Sequence, residues 1–453
     1  MKFISHGSFK FFTFSFFLFT FSFIRCERDF SVMEKKNAPT PPKPEINLTL
    51  AEEPALTEIY LNLKMKNVEF PQAYLVTRND STIAADSLFT NDTLVVDTSV
   101  TPATDYVYRA YRVEKNIKTD SSAVMETHTM DTTSHDFTWE IRTFGNGSSS
   151  CFYDVAIVNE SDIWAVGEIY IVDSTGWEKK YNAVHWDGQE WELKRIKTNA
   201  CGGVDYPPIR TVFAFSENNI LFGHTDASIT YFDGVNFSND CSFIEQINGS
   251  INKIWGTSSN DLYVVGYNGM LARYDGAQWY RLESGTDLPI NDIWGATDSL
   301  TGKQIILCVA SNEYFNYGKA LLRIEGEQVT PVSSEGLPWS LTSVWFVPHH
   351  IYYVAGDGLF SSKRIGNVWE HKNFPIYFKD CIRGSSLNDI VVVGSNGLLS
   401  HYNGSTWKHY LGNSLPFISG HYYAVQIYND VIIAAGYDYR EAVIAIGRRN
   451  LNK

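Results

Sequence analysis

Eight aromatic side chains sit where a reading of strands and turns leaves three long connections. They are Tyr170, Trp177 and Tyr181 in 168–182, Tyr314, Phe315 and Tyr317 in 311–319, and Tyr437 and Tyr439 in 437–441. Connections need not be aromatic, so this enrichment asks for a cause. Rings with a polar tip give large, rigid contact area, which suits stacking on a sugar or seating a protein partner. The competing reading is that these rings pack down on a rim and brace long loops. Acid–base chemistry is thinner. Asp187, Asp233, Asp261 and Asp275 recur in hairpin turns, where backbone capping accounts for them. His349 and His350 fall between strands, lack a metal-spaced partner and read as surface. Apart from Cys26, five cysteines remain, Cys151, Cys201, Cys241, Cys308 and Cys381, and no C-x-x-C spacing suggests zinc. Cys308 reads as a buried thiol, while Cys151, Cys201 and Cys241 fall in segments that share a face, with room for one disulfide in an oxidising compartment. No motif points to a cofactor or a metal.

The elements that must position these groups are β-strands. The 453 residues hold 15% aromatic and 19% charged side chains, opposite to the signature of disorder and favourable to pleated, half-buried surfaces. Fifty-one acidic against 37 basic residues give a net charge of −14, which repels phosphate backbones and excludes nucleic-acid binding through a basic surface.

Residues 11–24 (FFTFSFFLFTFSFI) carry no charge and follow Lys2 and Lys10. Fourteen residues at about 1.5 Å each fall short of a hydrocarbon core of about 30 Å, so the run reads as the apolar region of a signal peptide, and the chain is expected to be exported. Cys26 follows, then Glu27, Arg28, Asp29 and a proline-bearing stretch to residue 44. The arrangement resembles a bacterial lipoprotein signal with the acidic residues of surface-exported examples, although Arg25 stands where a small residue is usual. The resemblance implies a signal peptide over 1–26, lipidation of Cys26, a linker over 27–44, and an outer-membrane or cell-surface location, with secretion as the alternative. The membrane is expected to be met only through that anchor.

Residues 45–132 show short alternating runs, EIYLNLKM from Glu58, QAYLVT from Gln72, TLVVD from Thr93 and YVYRAYRV from Tyr106, parted by turn clusters, as in a β-sandwich. The segment 99–111 (SVTPATDYVYRAY) resembles the E–F corner of a fibronectin type III domain, which implies a structural role for Tyr106. A tryptophan of that family is missing: all twelve lie at or after Trp139. The domain reads as a spacer.

From residue 137 to 450 one unit repeats. Its clearest copy is 254–279 (IWGTSSNDLYVVGYNGMLARYDGAQW), an antiparallel meander with Asn-Gly and Asp-Gly turns. The G-x-x-aromatic element recurs at Gly188, Gly234, Gly276, Gly326, Gly366 and Gly404, with Gly447 as a seventh member, at intervals of about 43 residues. That period with four strands per unit predicts a propeller. The last copy lacks a fourth strand, and 137–144 (FTWEIRTF) reads like 190–196 (EWELKRI), so the N-terminal strand is expected to complete the seventh blade. The copies resemble exported bacterial propeller repeats of the pattern I-W-G-x-S-x-N-D-[LIV], over about two thirds of the chain. The Asp-Gly turns lack the serine and spacing of sialidase-type Asp boxes.

The expected fold is therefore all-β: a seven-bladed β-propeller closed by its N-terminal strand and preceded by a fibronectin type III-like β-sandwich. In such rings ligands generally meet the face carrying the loops between strands two and three and between successive blades. The three aromatic connections belong to that face. The expected function is binding or scaffolding of a glycan or protein partner. The alternative is a carbohydrate-active enzyme, a glycoside hydrolase or lyase, with its site at the central channel. An enzyme needs two carboxylates or a His/Tyr pair facing one pocket, and the first strands read as apolar or small (AIV, KIWG, DIWG, SVW, IRG), with no arginine cluster beyond Arg210 and Arg383, which favours binding.

Overall fold

A computed structural model describes residues 42–198, 205–240, 243, 249–312, 315–412 and 415–450. The signal segment, Cys26, most of the linker, Cys201, Cys241 and Tyr314 lie outside the described residues. Residues 44–453 form one compact unit. Every described strand pairs antiparallel with its neighbours, and among the described residues no helix is long and apolar enough to cross a membrane.

Two sheets face each other in the N-terminal part. One orders Glu45–Leu50, Ile59–Lys66 and Asp92–Asp97. The other orders Ser81–Leu88, Gln72–Arg78, Asp105–Glu114 and Ile117–Ser121, with Met125–His128 also on Asp105–Glu114. Alternation sets which side faces in: Ile59, Leu61, Leu63 and Met65 on one sheet and Tyr74, Val76, Tyr108 and Ala110 on the other make a single core. Tyr106 Oη accepts a hydrogen bond from Thr101 N at 3.0 Å and so pins the corner that precedes its strand.

The described residues of 137–450 form seven four-stranded antiparallel sheets. Their first strands are Cys151–Asn159, Ile209–Ser216, Ile251–Ser258, Ile290–Thr297, Leu341–Val347, Lys379–Ser386 and His421–Tyr428. Each first strand packs on that of the next sheet, and the last packs on the first, so the sheets close a ring, a β-propeller. Apolar second strands such as Asp389–Gly394 are buried on both faces because a neighbouring sheet covers each side.

The motif's N-D-[LIV] aspartate has a structural partner. Asp162, Asp261 and Asp389 each open a second strand and bond a basic residue on the third, His185 at 2.8 Å, Arg273 at 2.9 Å and His401 at 2.7 Å. Asp261 is thus an ion-pair residue and not a turn residue. Asp187, Asp233 and Asp275 do cap turns. Asp275 Oδ1 accepts from Ala277 N and Gln278 N, both at 2.9 Å, and these backbone bonds lower its pKa. Gly276 beside it has φ +92°, which a side chain would strain.

Phe137–Phe144 pairs along its whole length with Ala442 to Arg449 of the strand Glu441–Arg449, as the fourth strand of the last sheet. Gly447 therefore differs from the other six repeat glycines. It lies in mid-strand opposite Trp139, and a Cβ there would come within 2.5 Å of that ring. The last sheet has no hairpin at this point because its fourth strand arrives from the other end of the propeller segment.

The sandwich does not hang free of the ring. It sits on the face made by the turns between strands one and two and between strands three and four. Thr133 N donates to Asn403 O, Asn388 Nδ2 donates to Asp131 O, and Leu56 packs on Gly404. The paired histidines, expected at the surface, are at this junction. His350 is 9% exposed and lies 3.0 Å from Glu52 and 3.2 Å from Glu58, which also takes Lys363 Nζ at 2.8 Å. His349 lies 2.8 Å from Asp298. A sequence without tertiary contacts gives no means of pairing 52 and 58 with 350.

Burial opposes the charge on His350, but the two carboxylates outweigh it and raise its pKa to about 9. Burial likewise opposes ionisation of Glu58, yet His350 and Lys363 lower it to about 2. A raised histidine stabilises fully below its unfolded value of about 6.5 and loses that contribution as pH climbs toward 9. A lowered glutamate contributes above about 4.5 and loses it as pH falls toward 2. Stability should therefore fall between pH 6.5 and 9 by about 2 kcal/mol in the wild type. Urea unfolding of His350→Gln across that range should show a flatter profile, and an equal slope would remove His350 as the cause.

Candidate functional site

All seven first strands carry a β-bulge at the same register, two residues before the apolar residue that opens the repeat. A bulge turns one extra side chain out of the ladder. Here those residues are Tyr153, Arg210, Asn252, Asn291, Thr342, Asp380 and Tyr423, and all line one cavity at the ring's centre. It holds about 830 Å³ of empty space counted out to its open mouth. The mouth opens on the face opposite the sandwich, beside Tyr267 and Asn312 of two strand-two-to-three connections.

The register makes the reason visible in the repeat's terminal glycine. Gly266 and Gly394 stand opposite the bulges of their sheets, and a Cβ on either would lie 2.1 Å from Ser250 O and 1.9 Å from Phe378 O. Only a missing side chain lets that carbonyl approach.

Next to each bulged residue comes the position that braces the ring. Asp154 Oδ2 of the first sheet accepts from Thr211 Oγ1 and Val212 N of the second, at 2.8 and 3.1 Å, and Oδ1 takes Lys253 Nζ of the third at 2.7 Å. Asp292 of the fourth sheet repeats this. Its Oδ2 accepts from Ser343 Oγ and Val344 N of the fifth, at 2.7 and 3.0 Å, while Arg383 of the sixth bonds both oxygens at 2.9 and 2.7 Å. Burial works against ionised Asp292, but Arg383 holds its carboxyl below the usual range. Two carboxylates thus staple three sheets each.

The remaining wall is aromatic. Tyr153 and Tyr423 lie 6.4 Å apart, Tyr153 Oη donates to Glu168 at 2.7 Å, and His421 bonds Asp380 at 3.0 Å while stacking on Tyr437. Arg210 lies over the Tyr153 ring at 4.6 Å and makes no hydrogen bond or ion pair among the described residues. Burial pushes the thiols of Cys151 and Cys381 up, so neither is a ready nucleophile. Cys151, Cys308 and Cys381 are free. Among the described residues no group of three His, Cys, Asp or Glu could hold a metal.

The eight aromatics expected on long connections separate into two kinds. Tyr170, Tyr181 and Tyr437 lie not on connections but in the paired strands Asp162–Val172, Glu178–Trp186 and Val431–Asp438, whose ladders run on through the segments read as loops. Trp177 is 74% exposed, Phe315 60%, Tyr317 64% and Tyr439 79%, and Phe315 and Tyr317 stack at 5.8 Å. Tyr170, Tyr181 and Tyr437 are half-buried. Tyr170 Oη bonds Glu168 at 3.0 Å, Tyr181 packs on the core between the first and last sheets, and Tyr437 carries His421. Tyr314 lies outside the described residues. Arg210 apart, the bulged residues were missed because the first strands were read as short apolar or small segments that begin after the bulge. The signal was the pair just before the apolar residue that opens each repeat, Y-D, R-T, N-K, N-D, T-S, D-C and Y-A, which varies in chemistry while the rest of the unit repeats.

No family model matches the chain, and a search of curated proteins returns no match. Among solved structures, that of YCF48 bound to a D1 peptide matches with a TM-score of 0.49 and 14% identity, over 69% of this chain and 97% of the other. The WD40 β-propeller domain of Doa1 matches with a TM-score of 0.49 and 15% identity, over 70% of this chain and 98% of the other.

Proposed function

We propose that this chain is an exported, surface-anchored binding protein, in which a fibronectin type III-like sandwich holds a seven-bladed propeller and the propeller's open face seats a polypeptide partner. One observation carries the reading. Trp177, Tyr267, Phe315, Tyr317, Ile376, Phe417 and Tyr439, all more than 40% exposed, stand on connections of that one face around the charged mouth, while the sandwich occupies the other face. Exposed apolar and aromatic groups ringing a polar centre have the make-up of a protein contact surface. Seven sheets closed by the strand at 137–144, a pinned Tyr106 corner and a sandwich split three strands against five support the two domain assignments. The leader at 11–24 and Cys26 support export and anchoring.

The enzyme reading draws less support. A hydrolase needs a carboxyl kept protonated and a second one free to act. In the cavity Asp154 and Asp292 are consumed as inter-sheet braces and Asp380 bonds His421. A peptide array and a polysaccharide turnover screen decide between the two. Peptide retention that falls at least about tenfold in Trp177→Ala/Tyr439→Ala, with an unchanged melting temperature, is the expected result, since exposed aromatic anchors add to binding and not to folding. Turnover of any polysaccharide would overturn it.

A further inference from the structure

We infer that the channel mouth captures a single carboxylate of that polypeptide partner on Arg210, with the partner's adjacent amide N–H donating to Asn252. This deepens the binding reading above and rests on it. Six charged side chains line the cavity, Asp154, Asp292 and Asp380 against Arg210, Lys253 and Arg383. Lys253 and Arg383 are spent on Asp154 and Asp292, which leaves Arg210 as the cation with no carboxylate partner among the described residues. Its planar face rests on Tyr153, so its edge is held for a planar, two-oxygen anion.

A second orphan lies on the neighbouring sheet. Asn252 Nδ2 donates to Ile290 O at 3.0 Å, which fixes the amide, and Asn252 Oδ1 is buried with nothing among the described residues donating to it. A buried acceptor left unmade is costly, so a ligand that supplies an N–H there is favoured over one that does not. A carboxylate and a nearby N–H donor are what an amino-acid residue offers at an acidic side chain or a chain end. The balanced lining argues against a phosphate or sulfate. Three carboxylates against three cations give a multiply charged anion no net field to hold it.

The test is a peptide array in which each sequence appears in paired forms, with Asp, Glu or a free C-terminus and with Asn, Gln or a C-terminal amide in its place. Wild-type protein should retain only carboxylate forms, and Arg210→Gln should weaken that retention by at least about tenfold. Arg210 makes no ion pair among the described residues, so the variant should melt with the wild type, and Asn252→Leu should weaken retention as well. Equal retention of neutral forms, or undiminished retention by Arg210→Gln, overturns the inference. If in that case Trp177→Ala/Tyr439→Ala still abolishes retention, the binding face stands without the carboxylate contact. Retention of no peptide overturns both.

Discussion

Replacing Asp292 with alanine should lower the unfolding free energy by about 3–5 kcal/mol, among the largest single losses available in this ring. Asp292 and Arg383 expose only 4% and 7% of their side chains, and the guanidinium bonds both carboxylate oxygens. Removal of the carboxylate leaves Arg383 a buried charge, and the hydroxyl of Ser343 and the N–H of Val344 lose their shared acceptor. Three sheets are loosened by one substitution. The same change at Asp154 should cost about half as much, because its cation Lys253 is 17% exposed and its long stem reaches water. Urea unfolding of both variants and of Asp292→Ala/Arg383→Met measures the difference. The double variant should recover most of the loss, since two apolar side chains leave no unpaired charge. A double variant as unstable as Asp292→Ala would show that the carboxylate's bonds to Ser343 and Val344, and not the ion pair, carry the brace.

The sequence showed the ring and hid its mouth, and particular residues explain both. Period, Asp-Gly turns and alternating strands act locally, so the meander around Ile254 and the stray strand at Trp139 could be placed from spacing alone. The brace could not. Asp154 and Lys253 are 99 residues apart and Asp292 and Arg383 are 91 apart, and each pair meets only because a third sheet stands between them. The junction histidine is the same case at longer range, since nothing near His350 announces Glu52 or Glu58. The loop aromatics were visible as composition, but whether a ring points outward, as Trp177 does, or down on a neighbour, as Tyr181 does, depends on a core that composition does not contain. The bulges lay in plain view as a varied residue pair ahead of each strand. They were overlooked because a period-two reading expects no extra residue in a strand.

That bulge gives the second large effect. Gly394→Val should cost about 3 kcal/mol or more, well beyond what lost chain flexibility accounts for, because the new Cβ would sit 1.9 Å from Phe378 O and 2.9 Å from its carbonyl carbon. Both are backbone atoms, so no side chain can swing away. The first strand of the sixth sheet would have to shift, and Asp380, whose place in the mouth depends on the bulge opposite Gly394, would move with it. The fourth sheet supplies the control. There the residue opposite the bulged strand is already Ala310, paired with Ile290, and the strand runs on through Ser311, whose hydroxyl accepts from Leu341 N. Ala310→Gly should therefore change stability by no more than about 1 kcal/mol. Unfolding midpoints for the two variants, together with the binding readout for the mouth, separate the possibilities. Loss at Gly394 with an unaltered mouth would mean that the bulges serve only the ladder. Loss of both would show that Gly394 is kept open so that the centre of the ring can be furnished.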